Sequence, residues 1–218
     1  MNTNIVFTRY LYLKSGVLES LEASILKNDF QESLFWAYEI YFSGFEQEIF
    51  EYIFVIIERF YTNHPKLMNF LKKKRKEWEK DKKDEILGII IKNLSLKNHL
   101  SKEGTGRQIY ITIKPTDIDD LRNKEIKPLY KTLKTVCTYN GLKKQLKSMN
   151  TFRESWLFYA CYSPIWKTRV LEYNGIINTD EKTVVFSNDD DLENFYENYG
   201  YEPDEQSLEI QRRCMFSL

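Results

Sequence analysis

From Val17 to Leu94, large apolar side chains recur every three or four residues, broken only by short polar links. That spacing puts them on one face of successive helices, and links of two to four residues make neighbouring helices antiparallel. Val17, Leu18, Leu21 and Ile25 form the first face after Lys14-Ser15-Gly16, with Glu19 and Glu22 opposite. Asp29 suits the N-cap of the next helix, and Glu32 three residues on completes a capping-box pattern. Leu34, Phe35, Tyr38, Tyr41 and Phe42 make its stripe, and Gly44 fits a left-handed C-terminal end. A third helix runs from about Glu46 to Tyr61, with Ile49, Phe50, Ile53, Ile56, Ile57 and Phe60 on its wide apolar face. Pro65 suits the start of a fourth, lined by Leu67, Leu71, Lys74 and Trp78. Asp84 is expected to cap a fifth, carrying Ile86, Leu87, Ile90, Ile91 and Leu94. Paired helices of this kind can also stack as a solenoid, although no fixed period repeats.

The remainder mixes helix and strand. In RQIYITIK, Arg107 to Lys114, Ile109, Ile111 and Ile113 alternate with Tyr110 and Thr112, the pattern of a half-buried strand ended by Pro115. Helical turns follow at Asp117–Asn123 and from Leu129 to about Thr138. Thr151 and Glu154 form a second capping box ahead of Trp156, Leu157, Tyr159 and Ala160. Pro164 starts a helix with Ile165, Trp166 and Val170, closed by Asn174-Gly175. Ile176-Ile177 and Thr183 to Phe186 read as a hairpin, after which Ser187 or Asn188 caps a helix. A last helix is expected over Asp204 to Met215. The predicted fold is therefore mainly α (α+β). A helical region covers 1–98, and a mixed region covers 99–218, with a strand near 107–114 and a hairpin near 176–186, the two packed as one unit.

Composition narrows the class further. Apolar residues make up 42% of the chain and charged ones 29%, which is globular rather than disordered. Lys, Asn, Ile, Tyr and Phe abound, a bias that AT-rich codons also produce, so aromatic richness is not itself a functional sign. The longest apolar run, Tyr52 to Ile57, is too short to span a membrane. Cys137, Cys161 and Cys214 are odd in number and unpaired by spacing, and the start MNTNIVFTRY has no secretory pattern. A reducing cytoplasmic location is expected.

A net charge of zero hides a segregation of sign. Residues 1–65 hold 4 basic and 9 acidic side chains, 66–147 hold 22 and 10, and 148–218 hold 6 and 13. The basic run KKKRKEWEKDKK is the nucleic-acid candidate, because phosphates need cations on one reachable face and Trp78 could stack on a base. Its candidate contacts are Lys72, Lys73, Lys74, Arg75, Lys76 and Lys80, joined by Lys127, Lys131 and Lys134 on a later helical face. Glu77, Glu79 and Asp81 dilute it, Trp78 falls on the apolar stripe, and a solvated face with internal ion pairs is the preferred reading. Asp189-Asp190-Asp191 lacks the remaining positions of a calcium loop and is explained by the helix dipole. Gly104-Thr105-Gly106 lacks the Lys-Ser/Thr of a phosphate loop and precedes a strand. His64 and His99 have no partners at zinc spacing. No catalytic set, metal, cofactor or small-molecule ligand is indicated.

The stretches FWAYEIYFSGFEQEIFEYI, Phe35 to Ile53, and YNGIINTDEKTVVFSNDDDLENFYENYGYEPDEQ, Tyr173 to Gln206, resemble segments of an uncharacterised protein family of giant nucleocytoplasmic large DNA viruses. They cover about a quarter of the chain. The resemblance implies a viral protein of the host cytoplasm, the virus factory or the virion, and carries no catalytic residues. The functional expectation is a non-enzymatic scaffold or interaction protein that binds a protein partner or itself. The alternative is an accessory protein of replication, transcription or packaging that binds nucleic acid through 66–147.

Overall fold

The structure is a computed structural model of the chain and describes residues 6–10, 12–96 and 149–199, with the backbone alone for 149–154. The expected strand at 107–114, the turns at 117–123 and 129–138, the helix at 204–215, and Lys127, Lys131 and Lys134 lie outside these residues. The described residues are mainly helical with one small antiparallel sheet, as the sequence pattern predicts. The chain divides into two compact units. One is Leu18–Ile126. The other is assembled from both ends of the sequence, Met1–Val17 and Lys127–Leu218, so the division falls within α1 (Lys14–Leu26).

The first unit is built on α2 (Phe30–Tyr41), α3 (Glu46–Phe60), α4 (Pro65–Asp81) and α5 (Glu85–Ser95). Each of these packs on the next, and α2 also packs on α5, so the four close on themselves. An open solenoid stack would leave α2 and α5 apart. The central element is α2, whose residues Ser33 to Tyr41 are all buried, Glu39 included. The sequence pattern predicts a single stripe on α2, whereas Trp36, Ala37 and Ile40 are buried as well. A helix enclosed on every side is what neighbours on both flanks impose. Asp29 caps α2 as predicted, its carboxylate accepting the Glu32 amide at 3.0 Å. The Glu32 carboxylate accepts the indole N–H of Trp36 at 3.1 Å. Gly44 has φ 89°, the left-handed end expected of it.

Buried aromatic side chains bring polar atoms with them, and these must find partners. Tyr38 resolves this at α5. Its hydroxyl accepts the Gly88 amide at 3.1 Å and donates to the Asp84 carbonyl at 2.8 Å. Asp84 occupies the N-cap position, but its side chain makes no capping bond, so the cap predicted from Asp84 is supplied by a tyrosine from another helix. Trp78 donates to the Tyr41 hydroxyl at 2.9 Å, tying α4 to α2, and Tyr61 donates to the Leu94 carbonyl at 3.1 Å, tying the end of α3 to α5.

The second unit holds α6 (Met149–Ala160), α7 (Pro164–Glu172), β1 (Gly175–Asn178), β2 (Thr183–Phe186) and α8 (Asp189–Tyr199). The first of these begins at Met149, so Thr151 lies within it and is not the N-cap that the sequence suggests. Asn188 does cap α8, accepting the Asp191 amide at 2.8 Å. The strands pair antiparallel with Ile176 opposite Val185 and Ile177 opposite Val184. Side chains alternate across a strand, so Ile177, Val184 and Phe186 turn inward onto Trp156, Leu157 and Phe195, and Ile176 and Val185 turn outward. Gly175 permits β1 to reach α7: a Cβ there would lie 2.5 Å from Val170 Cγ1 and 2.9 Å from the Val170 carbonyl oxygen. The N-terminal residues join this core through a turn at Arg9-Tyr10 closed by a bridge between Phe7 and Leu13. Trp166, fully buried, donates to the Thr8 carbonyl at 3.0 Å, and Arg169 stacks on Trp166 and Tyr199 at 4.5 and 4.7 Å.

Replacing Tyr38 with Phe leaves the Gly88 amide buried without its acceptor, which costs about 1–3 kcal/mol. Tyr38→Phe is expected to lower the urea midpoint with its slope unchanged; an unaltered midpoint would show that the hydroxyl does not cap α5.

Candidate functional site

In the second unit, α6, the turn after it, α7 and β1 enclose an open groove of about 520 Å³. Phe158, Cys161 and Tyr162 follow the helical i, i+3, i+4 spacing and line one wall. Lys167 and Leu171, one turn apart on α7, line a second, and Gly175, Ile176 and Ile177 of β1 with Thr179 of the hairpin turn complete it. Pro164 fixes the start of α7 immediately after the α6 turn, and the bare backbone of Gly175 lets β1 lie close to α7, so both contacts position the walls.

The lining is apolar and much of it meets solvent. Tyr162 is 44% exposed, Leu171 55% and Ile176 63%. Val185, directly across from Ile176 in the sheet, is 55% exposed and extends the apolar surface beyond the groove. Seven large apolar side chains are exposed among the described residues, and three of them converge on this one feature. Isolated exposed apolar side chains are ordinary, whereas a contiguous group marks a surface that another molecule covers.

Among the described residues Lys167 is the one charged residue in the lining, and it is exposed. Cys161 lies at the floor, and burial pushes its thiol up to about 12, against a smaller downward pull from Lys167. A thiol so placed is protonated at neutral pH and is a weak nucleophile. Asp191, in the acidic triplet, accepts bonds from Asn174 and Asn188 at 3.1 and 2.9 Å. Among the described residues no group of three or more His, Cys, Asp or Glu side chains is arranged to hold a metal ion, and no helix is long and apolar enough to cross a membrane.

The basic run lies on α4, and its candidate residues divide into two kinds. Lys74 pairs with Glu77 at 2.8 Å, and Arg75 pairs with Glu79 at 3.1 Å and Glu51 at 3.6 Å. Both are partly buried in these contacts. Lys72, Lys73, Lys76 and Lys80 are exposed and take part in no ion pair. Trp78 is buried, packs on Phe50 at 4.6 Å and is covered by the Lys82 ammonium at 4.0 Å, so its ring is closed to a nucleic-acid base. Trp78 thus lies on the apolar stripe where the preferred sequence reading placed it, and the stacking alternative loses its aromatic contact.

The groove was not singled out by residue type, yet a signal for it stands in the sequence. A hairpin with one face in water alternates apolar and polar residues. Ile176-Ile177 and Val184-Val185 are apolar on both faces, which marks the outer face as a second surface seeking cover. No family model, no curated protein and no solved structure matches the chain.

Alkylation by iodoacetamide at pH 8, mapped by mass spectrometry, is expected to modify Cys161 at least roughly tenfold more slowly in the folded protein than after denaturation. Equal rates would show that the thiol is neither buried nor raised.

Proposed function

We propose that the protein is a non-enzymatic interaction protein that receives a segment of a partner protein in the groove between α6, α7 and β1. The single observation that carries this reading is the convergence of exposed Tyr162, Leu171 and Ile176 on one groove, with Val185 extending it. Covering a Leu or Ile side chain contributes about 1.5–3 kcal/mol, enough for two or three of them to dominate a modest affinity. On the same proposal, the resemblance of Phe35–Ile53 and Tyr173–Gln206 to a giant-virus family implies that the partner is met in the cytoplasm of an infected cell.

The test is to pan a random peptide display library against the immobilised full chain and to measure the enriched peptides by fluorescence anisotropy. Apolar peptides are expected, and Leu171→Glu or Ile176→Glu should weaken them by roughly tenfold or more. Both positions are exposed, so the variants should fold. Absence of enrichment, or equal binding to both variants, would sink the reading.

A second reading is supported by the lysines of α4. Lys72, Lys76 and Lys80 stand four residues apart on one exposed ridge of about 12 Å, with Lys73 beside them. These four ammoniums could neutralise three or four phosphates, without the stacking contact from Trp78. The expected log–log salt slope on duplex DNA is then about −3. Lys72→Glu with Lys76→Glu should abolish binding, and no binding at about 50 mM salt would remove this reading.

A further inference from the structure

We infer that the groove selects a partner segment in which a bulky apolar side chain stands beside a carboxylate, and that Lys167 reads that carboxylate. This rests on the groove's being a peptide site. The argument begins with what Lys167 lacks. A cation on a helix can pair with an acid three or four residues away, as Lys74 pairs with Glu77 and Arg75 with Glu79. The corresponding positions around Lys167 are Ser163, Pro164, Val170 and Leu171. Its own helix offers no counter-charge on that face, and Lys167 takes part in no ion pair.

Three acids nearby in sequence have other partners. Glu172 accepts the Tyr199 hydroxyl at 2.9 Å. Asp191 is held by Asn174 and Asn188, and Glu181 accepts from Asn178 at 3.0 Å. Among the described residues no carboxylate lines the groove. One unpaired cation, one turn from exposed Leu171 and set against an otherwise apolar wall, is a complementary surface for an apolar residue with an adjacent acid. Such a cation adds specificity and steers approach more than it adds affinity. A chain segment suits the surface better than a small amphiphile, because the apolar area continues past the groove to Val185, on the outward side of the hairpin.

The test is to pan the same random peptide library in parallel on the full chain and on Lys167→Glu, with Lys167→Met as a variant that keeps the apolar stem. The wild-type chain should enrich peptides that place Leu, Phe or Trp within a few positions of Asp or Glu. Lys167→Met should weaken them by roughly fivefold, and Lys167→Glu should lose them and enrich peptides flanked by Lys or Arg instead. Ile176→Glu should abolish both sets. Apolar peptides bound equally by wild type and Lys167→Glu would overturn this inference while leaving the groove a peptide site. Peptides indifferent to Ile176→Glu, or no peptides at all, would overturn both. Saturable binding of sodium dodecanoate that displaces every enriched peptide, irrespective of its charge, would likewise overturn the selection by an acidic segment.

Discussion

The helical unit depends on one requirement: a buried aromatic hydroxyl or indole N–H must be paired inside the protein. Leucine could fill the same volume without that obligation, but it could not join two helices by direction. Tyr38 holds the first turn of α5 by accepting one amide and donating to one carbonyl, and so supplies from α2 what a capping side chain would supply locally. Trp78 and Tyr61 act similarly between α4 and α2 and between α3 and α5. Four such bonds set the relative rotation of helices whose apolar faces alone would tolerate several registers. Hydrophobic burial supplies the driving force, and these bonds restrict it to one arrangement.

The unit built from the two ends follows a different logic. Its hairpin is short, and a two-stranded sheet is marginal by itself. It is stable here because its inner face rests on Trp156, Leu157 and Phe195, and because Gly175 lets the backbone approach Val170 more closely than any side chain would allow. The same approach brings β1 beside α7 and creates the groove. The candidate site is thus a by-product of a close packing contact, with its walls fixed by elements that also form the core.

Much of this architecture is written in the spacing of residues. Apolar periodicity locates α1 to α5 within a few positions, Asp29 and Asn188 cap as their side chains suggest, and the pair of β-branched runs gives the hairpin. What local pattern leaves out is whatever depends on a distant neighbour. Burial of α2 on all sides needs partners on both flanks, and those partners come from helices that follow it. The cap at Asp84 passes to Tyr38 because a tertiary contact occupies the place a local one would take. Periodicity puts Trp78 on an apolar stripe, but that its neighbours there are Phe50 and Tyr41 is a tertiary fact. The groove is less legible still, because its walls come from three elements and because Ile176 and Val185 reveal themselves only once strand register assigns them to the outer face.

The bond from Trp166 to the Thr8 carbonyl joins residues 158 positions apart. During synthesis, the helices α2 to α5, which pack on one another, have all emerged by residue 96 and can close early. The segment around Phe7 precedes these helices, yet it has to wait for the residues it packs on, Trp156 to Phe195, to leave the ribosome. That segment is therefore ordered after α2 to α5, and its unit carries the larger entropic cost of loop closure. A ribosome that stalls between these stages would display a folded helical unit with the apolar segment around Phe7 still uncovered, the state in which this protein is most open to chaperones and to misassociation.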